Sequence, residues 1–298
     1  GVKKNILTIT DVVFIIAPRI NAAGRMKHGN YAVELLTEMD YETAISFAAS
    51  IEKFNIERKE IDKKITYEAL QQIEAADEKE KFSTVVYSED WHKGVIGIVA
   101  SRLIESYYRP TLVFTKSGEK LAASARSVKG FDVYEALEQC SEHLEQFGGH
   151  KYAAGLTLSP DQYIPFKEKF EAVVKKTIDK ELLIPEIAID SPLELSDITP
   201  KFFRILKQMG PFGPKNMKPV FTTNAVRDNG YGKRVGADKS HLKLNIINGA
   251  DQKTYNAIGF GLGDKITSTQ NDFDIAYNLD ENEWNGNTSI QLLIKDIK

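Results

Sequence analysis

The chain has 298 residues, a formal net charge of -3, 42% hydrophobic and 27% charged residues. That length supports two domains with separate cores, and the composition excludes a disordered or fibrous chain. No apolar run approaches the roughly 18 residues that span a bilayer, and no charged-then-apolar leader opens the chain. A cytoplasmic location without a membrane partner is expected. The single cysteine, Cys140, excludes a disulfide framework and a thiolate metal centre.

In chain order, an apolar run from Val12 to Ala17 leads into Pro18-Arg19-Ile20-Asn21-Ala22-Ala23-Gly24-Arg25, and Tyr31 to Leu36 forms a short amphipathic helix. From Tyr41 to Ile73 no Pro or Gly interrupts a charged stretch in which Phe47, Ile51, Phe54, Ile61 and Ile65 recur at helical spacing, broken by Arg58. At 1.5 Å per residue this helix spans roughly 50 Å and is expected to connect domains. After Asp77-Glu78-Lys79-Glu80-Lys81 the pattern alternates. Strands are predicted at Ser83 to Tyr87, Thr111 to Thr115, Lys120 to Ser124 and Ala153 to Leu158, and helices at Val95 to Ser106, Val133 to Phe147 and Pro160 to Ile178. This is a compact α/β domain. Leu182 to Pro200, with Pro185 and Pro192, reads as an extended linker, followed by a short helix from Pro200 to Gln208. Five strands follow, at Val220 to Arg227, Leu242 to Asn248, Thr254 to Phe260, Phe273 to Leu279 and Thr288 to Ile294. They predict a small closed barrel, an OB-fold by preference with an SH3-like barrel as the alternative.

The net charge hides an uneven distribution. Lys201 to Lys243 carries ten Lys or Arg against Asp228 and Asp238, whereas Asp272, Asp274, Asp280, Glu281 and Glu283 make a later stretch acidic. A basic stripe beside a module of suitable fold is the electrostatic footprint of phosphate backbones; an unevenly solvated surface is the plain alternative.

Three segments carry candidate chemistry. In Phe147-Gly148-Gly149-His150-Lys151-Tyr152-Ala153-Ala154-Gly155, two glycines bring backbone N–H groups close to an anion, with His150 and Lys151 adding donors. A helix C-cap with glycine in the left-handed conformation is the competing reading. In Leu121-Ala122-Ala123-Ser124-Ala125-Arg126-Ser127, the planar fork of Arg126 suits a phosphate, with the Ser124 and Ser127 hydroxyls beside it; an exposed arginine in a strand–helix loop is the alternative. Trp91-His92-Lys93-Gly94-Val95-Ile96-Gly97 opens a helix whose first N–H groups, with His92 and Lys93, favour an anion, unless Gly97 serves only close packing. The five histidines lie far apart, and no Walker loop, His-Glu-x-x-His or nucleophile elbow occurs.

Together and in this order, these segments resemble the RecJ family of DHH-type phosphoesterases over essentially the whole chain. Pro18 to Arg25 resembles the motif closing that family's catalytic domain. Pro211-Phe212-Gly213-Pro214-Lys215-Asn216, ahead of Pro219-Val220-Phe221, resembles the lead into its OB-fold. The resemblance implies this organisation: residues 1–40 the end of the DHH catalytic domain, 41–78 the connecting helix, 79–182 the nucleic-acid-binding α/β domain, 183–218 a linker and short helix, and 219–298 the OB-fold. It implies a 5'-to-3' exonuclease on single-stranded DNA in recombination and repair, with manganese or magnesium activating water. By resemblance Ser124 and Arg126 recognise a 5'-terminal phosphate, Gly148, Gly149, His150 and Lys151 face the DNA channel, and Arg19, Asn21 and Arg25 line the cleft opposite.

The family's Asp-His-His triplet has no counterpart here. The chain is therefore expected to be a fragment lacking most of the catalytic domain, one that binds single-stranded DNA without cutting and holds no metal. A single-strand-binding protein or a helicase is the candidate protein partner. Tyr231 and Tyr255 are candidates for base stacking, with core packing or an ordinary barrel surface preferred for each. Three other readings remain. A non-catalytic single-strand-binding or scaffold protein leaves the Pro18 to Arg25 motif unexplained, and a small-nucleotide phosphoesterase has no need of a basic barrel. An aminoacyl-tRNA editing module would require a histidine and cysteine constellation that is absent.

Overall fold

The structure, a computed structural model, describes residues 7–213, 215–248, 251–284 and 286–298, and falls into two units, Gly1–Pro185 and Glu186–Lys298. Gly1 and Pro214, the latter in the lead to the second unit, lie outside the described residues.

In the first unit, α1 (Ile9–Asp11) is closed by reciprocal bonds between Thr8 and Asp11 and runs through a π turn (Val12–Ile16) into α2 (Ala17–Met26). Pro18 sits in the first turn of α2, directly after the π turn. After α3 (Asn30–Thr37), the long helix α4 (Tyr41–Ala75) begins at Asp40, whose carboxylate accepts the Thr43 N–H at 2.9 Å. The helix is continuous as expected, and its buried seam keeps Ile51 and Ile65 of the predicted one but not the rest. It runs through Ile51, Asn55, Asp62, Ile65, Ala69 and Ile73, whereas Phe47, Phe54 and Ile61 are partly exposed. Asn55 and Asp62, neither of them in the predicted seam, are buried where arginines reach them.

The α/β portion comprises β1 (Thr84–Tyr87), α5 (Ile96–Ser106), β2 (Thr111–Ser117), β3 (Lys120–Arg126), α6 (Val133–Glu138), β4 (Gln146–His150), β5 (Ala153–Leu158) and α7 (Tyr163–Thr177). The sheet order is β1-β2-β3-β5-β4, with β1 parallel to β2 and the other pairings antiparallel. The helix expected from Val133 to Phe147 stops at Glu138. Cys140 turns into the core, and the glycines beyond it, poor helix formers, pair as strand β4. Side chains alternate between the two faces. One face packs Leu112, Phe114, Ala123, Ala125, Leu156 and Leu158 against Phe166, Phe170 and Val174 of α7. The other packs Val86 and Val113 against Val99 and Leu103 of α5 and Ile65, Ala69 and Ile73 of α4.

The two sheet edges differ. Along β1, Gln72 Nε2 donates to Tyr87 O at 3.0 Å, and the Glu171 carboxylate accepts the N–H groups of Phe82 and Ser83 at 2.9 and 2.8 Å. These side chains block strand addition. No side chain among the described residues plugs the outer backbone of β4.

The second unit comprises β6 (Ser191–Pro192), α8 (Pro200–Gln208), β7 (Phe221–Asp228), β8 (Lys233–Val235), β9 (His241–Asn248), β10 (Asp251–Gly259), β11 (Phe273–Trp284) and β12 (Asn287–Ile297). The order is β6-β7-β11-β12-β10-β9-β8, and a further β7–β9 pairing returns the hydrogen-bonded series to its start. The five strands expected from sequence are present; β6 and β8 are additional. Leu195 and Ile198, in the stretch read as a linker, are 1% exposed and share the core of this unit with Phe203, Leu206, Phe221, Leu244 and Ile294. Its prolines made this stretch look extended, yet it packs. Tyr255 is 4% exposed and donates its hydroxyl to Leu195 O, so it is a core residue.

Candidate functional site

Strand register assembles the site. Ser124 on β3 lies opposite Gly155 on β5, which lies opposite Gly148 on β4; in the next row of the same face stand Arg126, Ala153 and His150. Ser124 also lies opposite Val113, in the core beneath α5, so this is the α5-covered face. The cover ends at β3. Gly148, Gly155 and His150 are exposed, and a Cβ at Gly148 would meet nothing within 4 Å. A floor almost without side chains thus extends from Ser124 to the open edge of the sheet.

Arg126 is fixed beside that floor. Its Nη1 donates to Ser124 Oγ at 3.0 Å and to Ala125 O at 2.7 Å, and its guanidinium lies against Gly97 of α5. A Cβ at Gly97 would stand 2.9 Å from both Arg126 Nη2 and Ser124 Oγ, so this glycine makes the seat for the arginine. No carboxylate pairs with Arg126 among the described residues. Burial, and secondarily the like charge of Arg25, pulls its guanidinium below the usual arginine range.

Arg25 arrives from the last turn of α2, donating Nη1 to Gly94 O at 3.1 Å. A Cβ at Gly94 would lie 2.1 Å from Arg25 O, so the helix end and the 92–97 loop meet backbone to backbone. That approach brings two arginines from distant parts of the sequence together.

The other expected residues divide. Gly149 stands in the β4–β5 hairpin at a φ of 156°, where a Cβ would lie 2.3 Å from Ala153 O; the helix C-cap reading is overturned. His150 Nδ1 accepts the Tyr152 N–H at 3.2 Å, and exposed Lys151 extends over the Tyr152 ring. His92 Nδ1 accepts the Gly94 N–H at 3.1 Å, and Lys93 Nζ reaches Ser117 Oγ at 3.0 Å, towards the turn of the β2–β3 hairpin. The N–H groups of Val95 and Ile96 bond to His92 O, so these donors are spent within the loop rather than offered to an anion. Arg19 is held by Glu52 and by Ile15 O at 2.7 Å; Asn21 is exposed. Neither is drawn to Arg126 by a contact.

Sequence reasoning missed Asn55, Arg58, Asp62 and Arg102. Asp62 accepts two bonds of 2.9 Å from Arg102 and a longer one of 3.5 Å from Arg58. The signal was present: Arg58 interrupts the apolar seam, and Asp62 follows it at i+4.

In the second unit the basic tract is partly neutralised by the acidic stretch, through Lys207–Glu281 at 2.7 Å, Lys218–Asp280 at 3.1 Å and Arg227–Asp272. Lys233, Lys239 and Lys243 have no carboxylate partner among the described residues. Lys233 and Lys243 face each other across β8 and β9, a like-charge pairing that opposes strand association. The aromatics Tyr231 and Phe260 are 71% and 63% exposed.

Among the described residues, no group of three or more His, Cys, Asp or Glu side chains converges as a metal ion would require. His28, His92, His143, His150 and His241 are engaged separately, with Asn30 N, Gly94 N, Gln162, Tyr152 N and Gly261 N.

Comparison with known proteins agrees with this layout. A family model for the DHHA1 domain matches residues 80–176, and one for the RecJ OB domain matches residues 189–296. The single-stranded-DNA-specific exonuclease RecJ of Bacillus subtilis is 35% identical over 290 residues, which cover 96% of this chain and 36% of that protein. The RecJ of Escherichia coli is 31% identical, covering 98% and 52%. RecJ from Thermus thermophilus, solved in complex with Mg2+, superposes with a TM-score of 0.82 at 28% identity, covering 97% of this chain and 43% of that one. Its Mn2+ complex superposes equally well. The chain thus spans about one third to one half of the curated relatives it matches. It belongs to the RecJ family, and the portion it spans carries a DHHA1 domain followed by a RecJ OB domain.

Proposed function

We propose that this chain holds the 5' end of single-stranded DNA for the exonuclease reaction after which its relatives are named. The observation that carries the reading is the uncompensated Arg126 guanidinium, fixed by Ser124 beside Arg25 at the head of a floor of Gly148 and Gly155. A guanidinium fork binds a terminal phosphate through paired, charge-assisted bonds. A side-chain-free floor lets the sugar–phosphate backbone run against the sheet, with His150 and Lys151 at its far edge. Arg25 adds charge from the opposite wall. The exposed Tyr231, Phe260, Lys233 and Lys243 give the second unit the pairing of aromatic faces and cations that binds single strands without sequence preference.

Two finer readings of the architecture accompany this. The closed series of pairings through β7, β11, β12, β10 and β9 supports a five-stranded OB-type barrel. The exposed Phe14, Leu36, Met39 and Tyr41 support residues 1–40 as the edge of a larger catalytic domain, with α4 as its connector. RecJ of Thermus thermophilus is solved with Mg2+ and with Mn2+, which supports a divalent metal in the reaction of the longer protein. The described residues do not fit a two-metal centre.

The test is fluorescence anisotropy with 5'-phosphorylated single-stranded oligonucleotide and matched duplex, for the wild type and Arg126→Ala, followed by gel analysis after incubation with manganese. Preference for the single strand, weakened by the substitution with the oligonucleotide left intact, is expected. Equal affinity for duplex, or no effect of Arg126→Ala, refutes the proposal.

A further inference from the structure

One carboxylate organises the loop between β7 and β8. Asp228, the last residue of β7, accepts through Oδ2 from the N–H groups of Gly230 at 2.9 Å and Gly232 at 2.7 Å, and through Oδ1 from Asn245 N of β9 at 2.8 Å. Asn229 N donates to Asn245 O at 2.9 Å, which ties the loop to the same residue of β9. Hydrogen bonds to an ionised acceptor are about twice as strong as neutral ones.

The bonds bracket Tyr231, which stands between the two glycines. Gly230 has a φ of 91°, a conformation that favours glycine, and a Cβ at Gly232 would lie 3.0 Å from both Asp228 Oδ2 and Leu244 Cδ2. The backbone is thus drawn close on each side of Tyr231, whose ring is left 71% exposed. An exposed ring on a loose loop loses conformational freedom when it stacks on a ligand; a ring on a loop already ordered loses less.

The neighbouring outer face is cationic and aromatic. Leu242, Leu244 and Ile246 are buried in the core, so by alternation His241, Lys243 and Asn245 face outward. Lys243 lies opposite Lys233, which follows Tyr231 by two residues. His241 lies opposite Val235 and meets the exposed Phe260 edge to face, with ring centroids 5.1 Å apart. By tying the loop to Asn245, Asp228 sets Tyr231 at the end of this row.

We propose that Asp228 is a positioning residue for single-strand binding: its carboxylate holds the Gly230 and Gly232 N–H groups so that Tyr231 stacks on a base beside Lys233 and Lys243. This rests on the reading of the exposed aromatics and lysines of the second unit as a surface for single strands. Charge alone predicts the reverse, because removing a carboxylate near two lysines strengthens the attraction for a polyanion. The sign of the effect therefore separates the two roles. Asparagine at position 228 keeps the size but offers one acceptor oxygen in place of two, and sets its amide N–H groups against at least one of the three donors.

The experiment measures anisotropy of the whole chain with a 5'-hydroxyl single-stranded oligonucleotide, which leaves out the terminal-phosphate contact, at low and moderate salt. The proteins are the wild type, Asp228→Asn, Tyr231→Ala, the double variant and Gly232→Ala, each checked by thermal melting. Asp228→Asn is expected to weaken binding about threefold or more despite the lost negative charge, and to have no further effect, within about 1.5-fold, once Tyr231 is alanine. The loss should persist at moderate salt, because stacking is not screened. Gly232→Ala crowds Asp228 Oδ2 without changing charge; it should weaken binding likewise, and it replaces Asp228→Asn should that variant fail to fold. Tighter binding by Asp228→Asn, or the same loss with and without the Tyr231 ring, overturns the positioning role alone. Binding by Tyr231→Ala equal to the wild type overturns the stacking reading of the second unit, and the proposal with it.

Discussion

Gly97→Ala separates the seat of Arg126 from the stability of the fold. The new methyl would lie 2.9 Å from Arg126 Nη2 and Ser124 Oγ, and the next neighbour is Arg126 Cζ at 3.6 Å. All are side-chain atoms, so the arginine yields rather than the backbone. Restoring ordinary contact moves the guanidinium by about 0.5 Å, enough to spoil a bidentate bond whose useful range is about 2.7 to 3.2 Å. A hydrogen bond to a charged group contributes about 1.5 to 3 kcal/mol, so affinity for a 5'-phosphorylated strand should fall about 10- to 100-fold. Gly97 is the second residue of α5, where the backbone is already helical and alanine is tolerated, so the melting temperature should hold. Anisotropy titration and thermal unfolding of the same preparation read the two effects. Unchanged affinity would show that Arg126 does not hold the phosphate from this seat. A large loss of stability would show that Gly97 serves packing.

Gly149→Ala meets backbone instead, with Ala153 O at 2.3 Å and Ala154 Cα at 2.5 Å, so it should destabilise the β4–β5 hairpin by about 2 kcal/mol or more in urea unfolding; a change below about 0.5 kcal/mol would refute the hairpin geometry. The Asp40 carboxylate is held below its ordinary pKa chiefly by the Thr43 N–H, so its contribution to α4 is present above the ordinary value and is lost as pH falls through the depressed one. Asp40→Ala should therefore lower the melting temperature at pH 7 but not at pH 2, and a deficit that persists at pH 2 would contradict the capping role. Tyr255→Ala should cost about 3 to 5 kcal/mol of stability in the second unit, like other large buried aromatics. Tyr231→Ala should leave stability unchanged and weaken single-strand binding by about 1 to 3 kcal/mol; equal effects of the two would refute the assignment of one to the core and the other to the surface.

What the sequence made legible was local. The run without Pro or Gly from Tyr41 onwards specified α4, and alternation of small and apolar residues specified β2, β3 and β5. The serine and arginine on β3 and the paired glycines on β4 were visible as motifs, but their juxtaposition depends on β5 lying between them, a non-sequential strand order that periodicity does not encode. The helix beyond Glu138 was misread because helical propensity over so few residues gives way to strand pairing with β5. Arg58 was noticed only as a flaw in an apolar seam. Its meaning depends on Arg102, 44 positions later, and no spacing rule joins residues on two helices.

The edges of the α/β sheet show why the glycines matter as a surface rather than as a turn. An exposed edge strand invites unwanted pairing, and at the β1 edge Gln72 engages the Tyr87 backbone while Glu171 engages the Phe82 and Ser83 N–H groups that lead into the strand. The opposite edge has two adjacent glycines, one requiring a backbone conformation closed to other residues, and no plugging side chain among those described. A fold that blocks one edge with two side chains and leaves the other bare accepts an aggregation risk and a weaker strand at the bare edge. The arrangement is coherent if that edge is occupied in use. On the proposed function the occupant is anionic, drawn to Arg126 beside Arg25, and the glycines of β4 set how closely its backbone lies. Filling Gly148 with a bulky side chain, where a Cβ would meet nothing, should therefore spare the fold and obstruct the strand.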